Sequence, residues 1–451
     1  MSRGPKTVVV VTEGAAPDLL DRWCAAGLLP SFAQLRTQGR QGAMVSEGTP
    51  YEPPGLTSLL TGRTAGDHGI FSYWSVHDPE YSPQTLNGIE RRNPLMWHLP
   101  EFQGVRFACI GLFGAHPVEP LDGSLITYPM VATLHACHPR DLQRNLARRG
   151  IRPVHDVSIF HTGQARNDLA PRFLEADVER GRAAVAMMPD HDVVIVNLTA
   201  IDRSSHFYWQ ELELGPEAEL DSTILAAYQV ADAVIGDVLA AADDQTTVLA
   251  FSEIGFGPLR AYRSINEVLA KAGFAEMGEA GRPDWGRSQA FEAVQGTHGI
   301  NLNVQNRYKD GTVAPTDYDA VRADVSAALL AAINPSTGQP YFSDVVPRED
   351  VYTGEAVSQA PDLLLEPTDW RYLPLGDPFW AAHVNRHWQS GWHRRESYWA
   401  AAGPGVPTGT TSERAAAPVD VSATIAELAG RDKPAGWSGE SLLTPVARTA
   451  R

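Results

Sequence analysis

Asp202 and His206 stand four residues apart in DRSSHFYW, a spacing that puts a carboxylate and an imidazole on one face of a helical turn. Such a pair suits a divalent metal ion; taken alone the signal is weak, and a capping Asp beside a surface His is the commoner case. His393, in SGWHRRE, could supply a third ligand. One Asp and two His with an open position form the set that a catalytic zinc requires, whereas a lone loop histidine in water would need no metal. Two more acids, Glu13 and Glu253, directly follow apolar runs. Carboxylates converging at strand ends repel one another unless a cation or a shared proton compensates.

Elements that would position these groups can be read along the chain. Residues 6–11 (KTVVVV) form a continuous apolar run, as expected of a strand covered on both faces, and Pro17 opens a helix just after it. Further strands are expected at 105–112, 192–198 and 246–251, with another apolar run at 397–402. Residues 221–242 present Ile224, Tyr228, Ala231, Ile235 and Val238 at helical spacing, with Asp232 and Asp237 off that stripe. Alternating strands and helices predict an α/β fold, a doubly wound, mainly parallel sheet with helices on both faces. Ligands in such sheets bind outside the carboxyl ends of the strands, where Glu13, Asp202 and Glu253 fall. One domain is expected over residues 1–451. Residues 71–92 and 260–340 fit the repeat poorly and are expected to be insertions overhanging the strand ends as a lid.

Composition bounds the partners. Lys and Arg number 37 against 54 Asp and Glu, giving −17, the wrong sign for a nucleic-acid polymer or an anionic membrane surface. A small-molecule substrate is expected, no membrane, and self-association is left open. No stretch approaches the ~20 apolar residues of a membrane span, so the chain as given reads as cytoplasmic. Cys24, Cys109 and Cys137 lack CxxC spacing and suggest neither a disulfide framework nor a cysteine zinc site; Cys24 and Cys109 read as small core residues. Walker A and GxGxxG motifs are absent from the sequence.

Nearly end to end, the sequence resembles the type I phosphodiesterase and nucleotide pyrophosphatase branch of the alkaline phosphatase superfamily. The segments that carry the likeness include VVVVTEGAAPDLLDRW, PPGLTSLLTGRTAGDHGIFSYW, DRSSHFYW, FSEIGFGP and GWHRRESYWAAAGPG. The resemblance implies two zinc ions at the strand ends and a Thr or Ser nucleophile. One zinc would be held by Asp202, His206 and His393, all of the family's residue types. The second would need an Asp after the first strand, the nucleophile, and an Asp-His pair. Those positions hold Glu13, Glu52 (nine residues before Thr61) and Glu253-Ile254. Ile254 cannot bind a metal, and each Glu is one methylene longer than Asp.

Three readings follow from these substitutions. In the preferred one the protein is a repurposed enzyme without a Thr or Ser nucleophile, in which Asp202, His206 and His393 hold one zinc and Glu52 moves protons, with Glu13 and Glu253 raising a carboxyl pKa toward neutrality. Small-molecule biosynthesis is the setting it suggests. In the second, phosphoester hydrolysis persists: Glu13, Glu52 and Glu253 hold a second ion such as Mg²⁺, Mn²⁺ or Ca²⁺, and Glu52, Thr49 or Thr57 replaces the nucleophile. The third is a non-catalytic binding protein. His68 reads as core packing, while His298, His116, His383 and His387 are candidate substrate contacts or substitute ligands. Arg203 and Arg394 adjoin the metal ligands and are candidates for holding an anionic group.

Overall fold

A computed structural model describes residues 6–129, 133, 135–153, 169–278, 281–374, 376 and 389–444. His383 and His387 lie outside the described residues. The main sheet draws on β1 (Thr7–Thr12), β2 (Arg40–Val45), β3 (Phe107–Leu112), β4 (Gly123–Thr127), β5 (Cys137–His138), β6 (Val193–Leu198) and β7 (Thr247–Phe251). After β8 (Gly255–Pro258), β9 (Ala261–Arg263), β10 (Ala290–Glu292), β11 (Gly299–Leu302), β12 (Phe342–Pro347), β13 (Leu363–Pro367), β14 (Tyr372–Pro374) and β15 (Gly391–Arg394), the chain returns to it with β16 (Glu396–Ala402) and β17 (Thr410–Thr411). The nine strands run in the order β17-β2-β16-β7-β1-β6-β3-β4-β5. Its centre, β7-β1-β6-β3-β4, is parallel throughout. The expected mainly parallel, doubly wound α/β architecture is therefore the one observed.

The valine run of β1 explains why this strand is central. Val8 and Val10 point to one face and pack with Leu19, Leu20, Phe173, Tyr228 and Ile235. Val9 and Val11 point to the other and meet Leu56, Leu59, Leu60 and Ile425. Each buried valine is worth about 1.5–3 kcal/mol relative to an exposed one, so a strand buried on both faces tolerates no polar alternation. The stripe Ile224, Tyr228, Ala231, Ile235 and Val238 is buried on the helix Thr223–Ala241. That helix lies within Pro216–Ala241, which by length and composition alone could cross a membrane. Its buried stripe makes it a core helix.

Two details correct the sequence reading. Asp232 is off the apolar stripe but not in solvent; it is buried, and its carboxylate accepts the backbone N–H of Phe32 at 2.8 Å, in the first turn of the helix Pro30–Gln38. Cys109 is a core residue as expected, whereas Cys24 is only half-buried. Within residues 260–367, β10, β11, β13 and β12 form a separate antiparallel sheet, and the helices Ile265–Lys271 and Tyr318–Ala331 pack on it around Leu269, Ile300, Val325, Leu329 and Leu365.

His68 is wholly buried, as its expected packing role requires. The N–H of Ile70 donates to its Nδ1 at 3.1 Å, leaving Nε2 3.1 Å from the Ser58 hydroxyl. Burial pushes this imidazole down from 6.5 to about 3. Because the unfolded chain takes up the proton first, this contribution to stability is complete above pH 6.5 and is lost as the pH falls toward about 3. The urea midpoint of the wild type is expected to drop over that range more steeply than that of His68→Gln, which will be less stable overall but flatter with pH.

Candidate metal centre

Three neighbouring parallel strands deliver the acids. β1 ends directly in Glu13, whose Oε2 accepts a hydrogen bond from Asn197 Nδ2 on β6 at 2.7 Å. Gly14 follows at φ +83°, and a Cβ there would lie 2.8 Å from the Asp202 backbone, so only glycine lets the β1 loop pass this close to the next helix. β6 leads into the helix Ala200–Tyr208, which carries Asp202, Arg203 and His206. Its first turn is fixed from a neighbouring helix: the Asp177 carboxylate accepts Thr199 N–H at 2.9 Å and Ala200 N–H at 2.7 Å. β7 is followed by Glu253. Glu52 opens the helix Glu52–Thr61, where Pro53 and Pro54 suit the first turn.

His393 arrives by pairing. β15 runs antiparallel to β8 with His393 opposite Phe256, and the residue is fully buried. His393 Nδ1 is 3.3 Å from the Pro50 carbonyl and His206 Nδ1 is 3.3 Å from the Gly391 carbonyl. In the tautomer that gives each Nδ1–H to its backbone carbonyl, both Nε2 atoms are left with lone pairs toward one another, 3.2 Å apart. Asp202 Oδ1 lies 3.0 Å from His393 Nε2, and Oδ2 lies 3.5 Å from His206 Nε2. Donor atoms converging in this way suit a cation. Four donors around one zinc at ~2.0–2.1 Å sit about 3.3 Å apart when tetrahedral, close to these separations. Glu52, Asp202, His206 and His393 each offer an atom within 4.8 Å of the others, and all four are buried. This group can hold a metal ion.

Glu13 and Glu253 lie beside it. Burial first, and then the neighbouring carboxylates, push both carboxyls well above the usual range. Burial likewise raises Glu52, partly offset by His393 and Arg203. Asp202 is the exception. Burial pushes it up, but His206, Arg203 and His393 outweigh that and hold it low; since burial pushes His206 itself down to about 3, Arg203 is the standing positive charge. Glu13 Oε1, Glu52 Oε2 and both Glu253 oxygens have no hydrogen-bond partner. Buried carboxylate oxygens without a hydrogen bond suit a cation site.

The other expected residues fall around this group. Arg203 is buried and turned inward onto the carboxylates. Arg394 donates to the carbonyls of Trp392, His393 and Pro258. His298 is buried at φ +43°, its ring against Trp370 and its Nε2 without a partner; it is not among the four clustered donors. His116 Nδ1 is 3.3 Å from the Thr127 hydroxyl, and Thr49 donates to the Thr297 carbonyl. Tyr128, Asn197 and Asp177 were missed in the sequence. Tyr128 directly follows β4 and accepts from Arg203 at 3.0 Å. Asn197 had a visible signal, a single amide inside the apolar run VVIVNL.

Packing at Glu253 yields a prediction. A Cβ on Gly55 would lie 2.8 Å from both Cβ and Cγ of Glu253. Gly55→Ala gains up to ~1 kcal/mol of helix propensity but overpacks the contact by about 1–3 kcal/mol, so a net loss is expected. Urea unfolding measures it, and the penalty should shrink when Glu253→Gly is added.

Fold and site define a metal-dependent, hydrolase-like enzyme with its centre at the ends of parallel strands. The chain belongs to the type I phosphodiesterase / nucleotide pyrophosphatase family, whose model matches residues 7–394. Among solved structures it is similar to phosphonoacetate hydrolase from Sinorhizobium meliloti 1021 in complex with phosphonoacetate, at TM-score 0.60 and 14% identity, covering 95% of this chain and 96% of that one. It is also similar to inactive murine ectonucleotide pyrophosphatase / phosphodiesterase 5 in complex with AMP, at TM-score 0.56 and 12% identity, with coverage of 95% and 96%. A comparison with curated protein sequences gives no match.

Proposed function

We propose that this protein is a single-zinc enzyme acting on a small polar substrate, with Glu52 as the acid or base. The observation that carries this reading is the buried group of Glu52, Asp202, His206 and His393 within 4.8 Å. Two imidazole nitrogens with carboxylate oxygens are a donor set suited to zinc. Asp202, His206 and His393 would hold the ion, whose contribution would be Lewis-acid charge at a substrate oxygen. Glu52, whose carboxyl burial has pushed up, holds or releases a proton at Oε2, the oxygen that has no hydrogen-bond partner. Residues 71–92 and 260–340 are proposed to set specificity as insertions over the strand ends. The setting is small-molecule biosynthesis in the cytoplasm.

A second reading, phosphoester hydrolysis with two ions, is favoured by the family and by the unpartnered oxygens of Glu253. Chelated protein reloaded with measured zinc, manganese or magnesium distinguishes the two on a panel of aryl phosphate monoesters, diesters, phosphonates and carboxylic esters. Turnover restored by one equivalent of zinc is expected. Diesterase activity that needs two equivalents would establish the second reading, and equal turnover by metal-free protein would sink both.

A further inference from the structure

The carboxylate half of the centre already contains a cation. Arg203 Nη1 is paired with Asp202 Oδ2 and lies 3.5 Å from Glu52 Oε1, while Nη2 lies 3.5 Å from Glu13 Oε1 and donates to Tyr128 Oη at 3.0 Å. One planar guanidinium thus touches acids from three different elements: β1's end, the head of the helix Glu52–Thr61, and its own helix. It is buried, as are the three carboxylates it touches and Glu253. Ile254, next to Glu253, is fully buried and apolar, so that side of the group offers no nitrogen ligand.

We propose that Arg203 is a built-in replacement for a second metal ion: its guanidinium occupies the carboxylate half of the centre, limits the protein to one divalent ion, and masks a latent, all-oxygen cation site formed by Glu13, Glu52 and Glu253. Charge counting supports the assignment. With Glu13, Glu52, Asp202 and Glu253 all ionised, as ligation to cations requires, one guanidinium and the first ion leave a single negative charge. Without the guanidinium the same acids match two divalent ions. A guanidinium suits this place because its fixed fork reaches several oxygens at once and it stays charged when buried. Oxygen-only ligands would select a hard ion, manganese or magnesium, over zinc.

This inference rests on the single-ion reading, and its test separates the two. The probe is Mn²⁺, counted by elemental analysis after gel filtration of zinc-loaded protein. Wild type and Arg203→Lys are expected to keep one ion and take up no manganese. Arg203→Gln, which removes the charge and shortens the side chain, is expected to hold about two ions and to gain thermal stability with Mn²⁺, a shift that the wild type does not show. An Arg203→Gln protein that folds only with Mn²⁺ present would be the same result in stronger form. A second ion in the wild type, or a folded Arg203→Gln with only one ion and no manganese shift, would overturn the proposal. The double variant Arg203→Gln with His206→Ala isolates the sites: retained Mn²⁺ with no zinc supports the latent site even if single-zinc catalysis proves wrong.

Discussion

Glu52→Gln is expected to lower turnover by about 10²–10⁴-fold while leaving the zinc in place. The substitution keeps the shape and one oxygen of the side chain and removes its ability to carry a proton. Glu52 sits at the head of its helix, 3.9 Å from His393 Nδ1 and 3.5 Å from Arg203, so its position is set by neighbours that an amide does not displace. Both variant and wild type are assayed on the best substrate of the panel, with metal content measured on the same samples. Unchanged turnover would remove Glu52 from the chemistry. Loss of zinc together with turnover would make it a ligand first. Glu52→Thr is a companion: gain of aryl phosphodiesterase activity would show that Glu52 occupies the family's nucleophile position.

His206→Ala should have the larger effect on the metal. With one imidazole gone, His393 Nε2 and Asp202 face a gap where the second nitrogen stood, and Asp202 Oδ2 loses its imidazole neighbour. Zinc binding should fall below detection in the purified variant, and turnover with it. A ligand present at a hundred times its Kd stabilises the folded state by about 2.7 kcal/mol, so added zinc should raise the melting temperature of the wild type by several degrees and leave that of His206→Ala unmoved. A melting shift retained in the variant would place the ion elsewhere.

How much of this was legible in the sequence depended on the range of the forces involved. The strands of the sheet centre were readable because burial on both faces forces unbroken apolar runs, as in KTVVVV and VVIVNL. β4 was not: five residues beginning Gly-Ser give no periodicity, and with it went Tyr128, which receives the Arg203 guanidinium. The i, i+4 relation of Asp202 and His206 is local and was visible as spacing. Bringing His393 to them is not local, since it depends on β15 pairing with β8. Only the family likeness pointed to Glu52, because nothing in TPYEPPGLT marks a carboxylate aimed at distant histidines. Arg203 was expected to hold an anionic group, but its turn onto the protein's own carboxylates was not legible in the spacing. Adjacent helical residues do not face one another, which suggests an outward side chain, yet a long flexible stem lets the guanidinium turn back onto Asp202.

Metal content of the purified wild-type protein is the most direct test of the single-ion centre, because it requires no knowledge of the substrate. Elemental analysis is expected to find about one zinc per chain, absent from His206→Ala prepared in parallel. Two ions per wild-type chain, or none in protein never exposed to chelator, would contradict it.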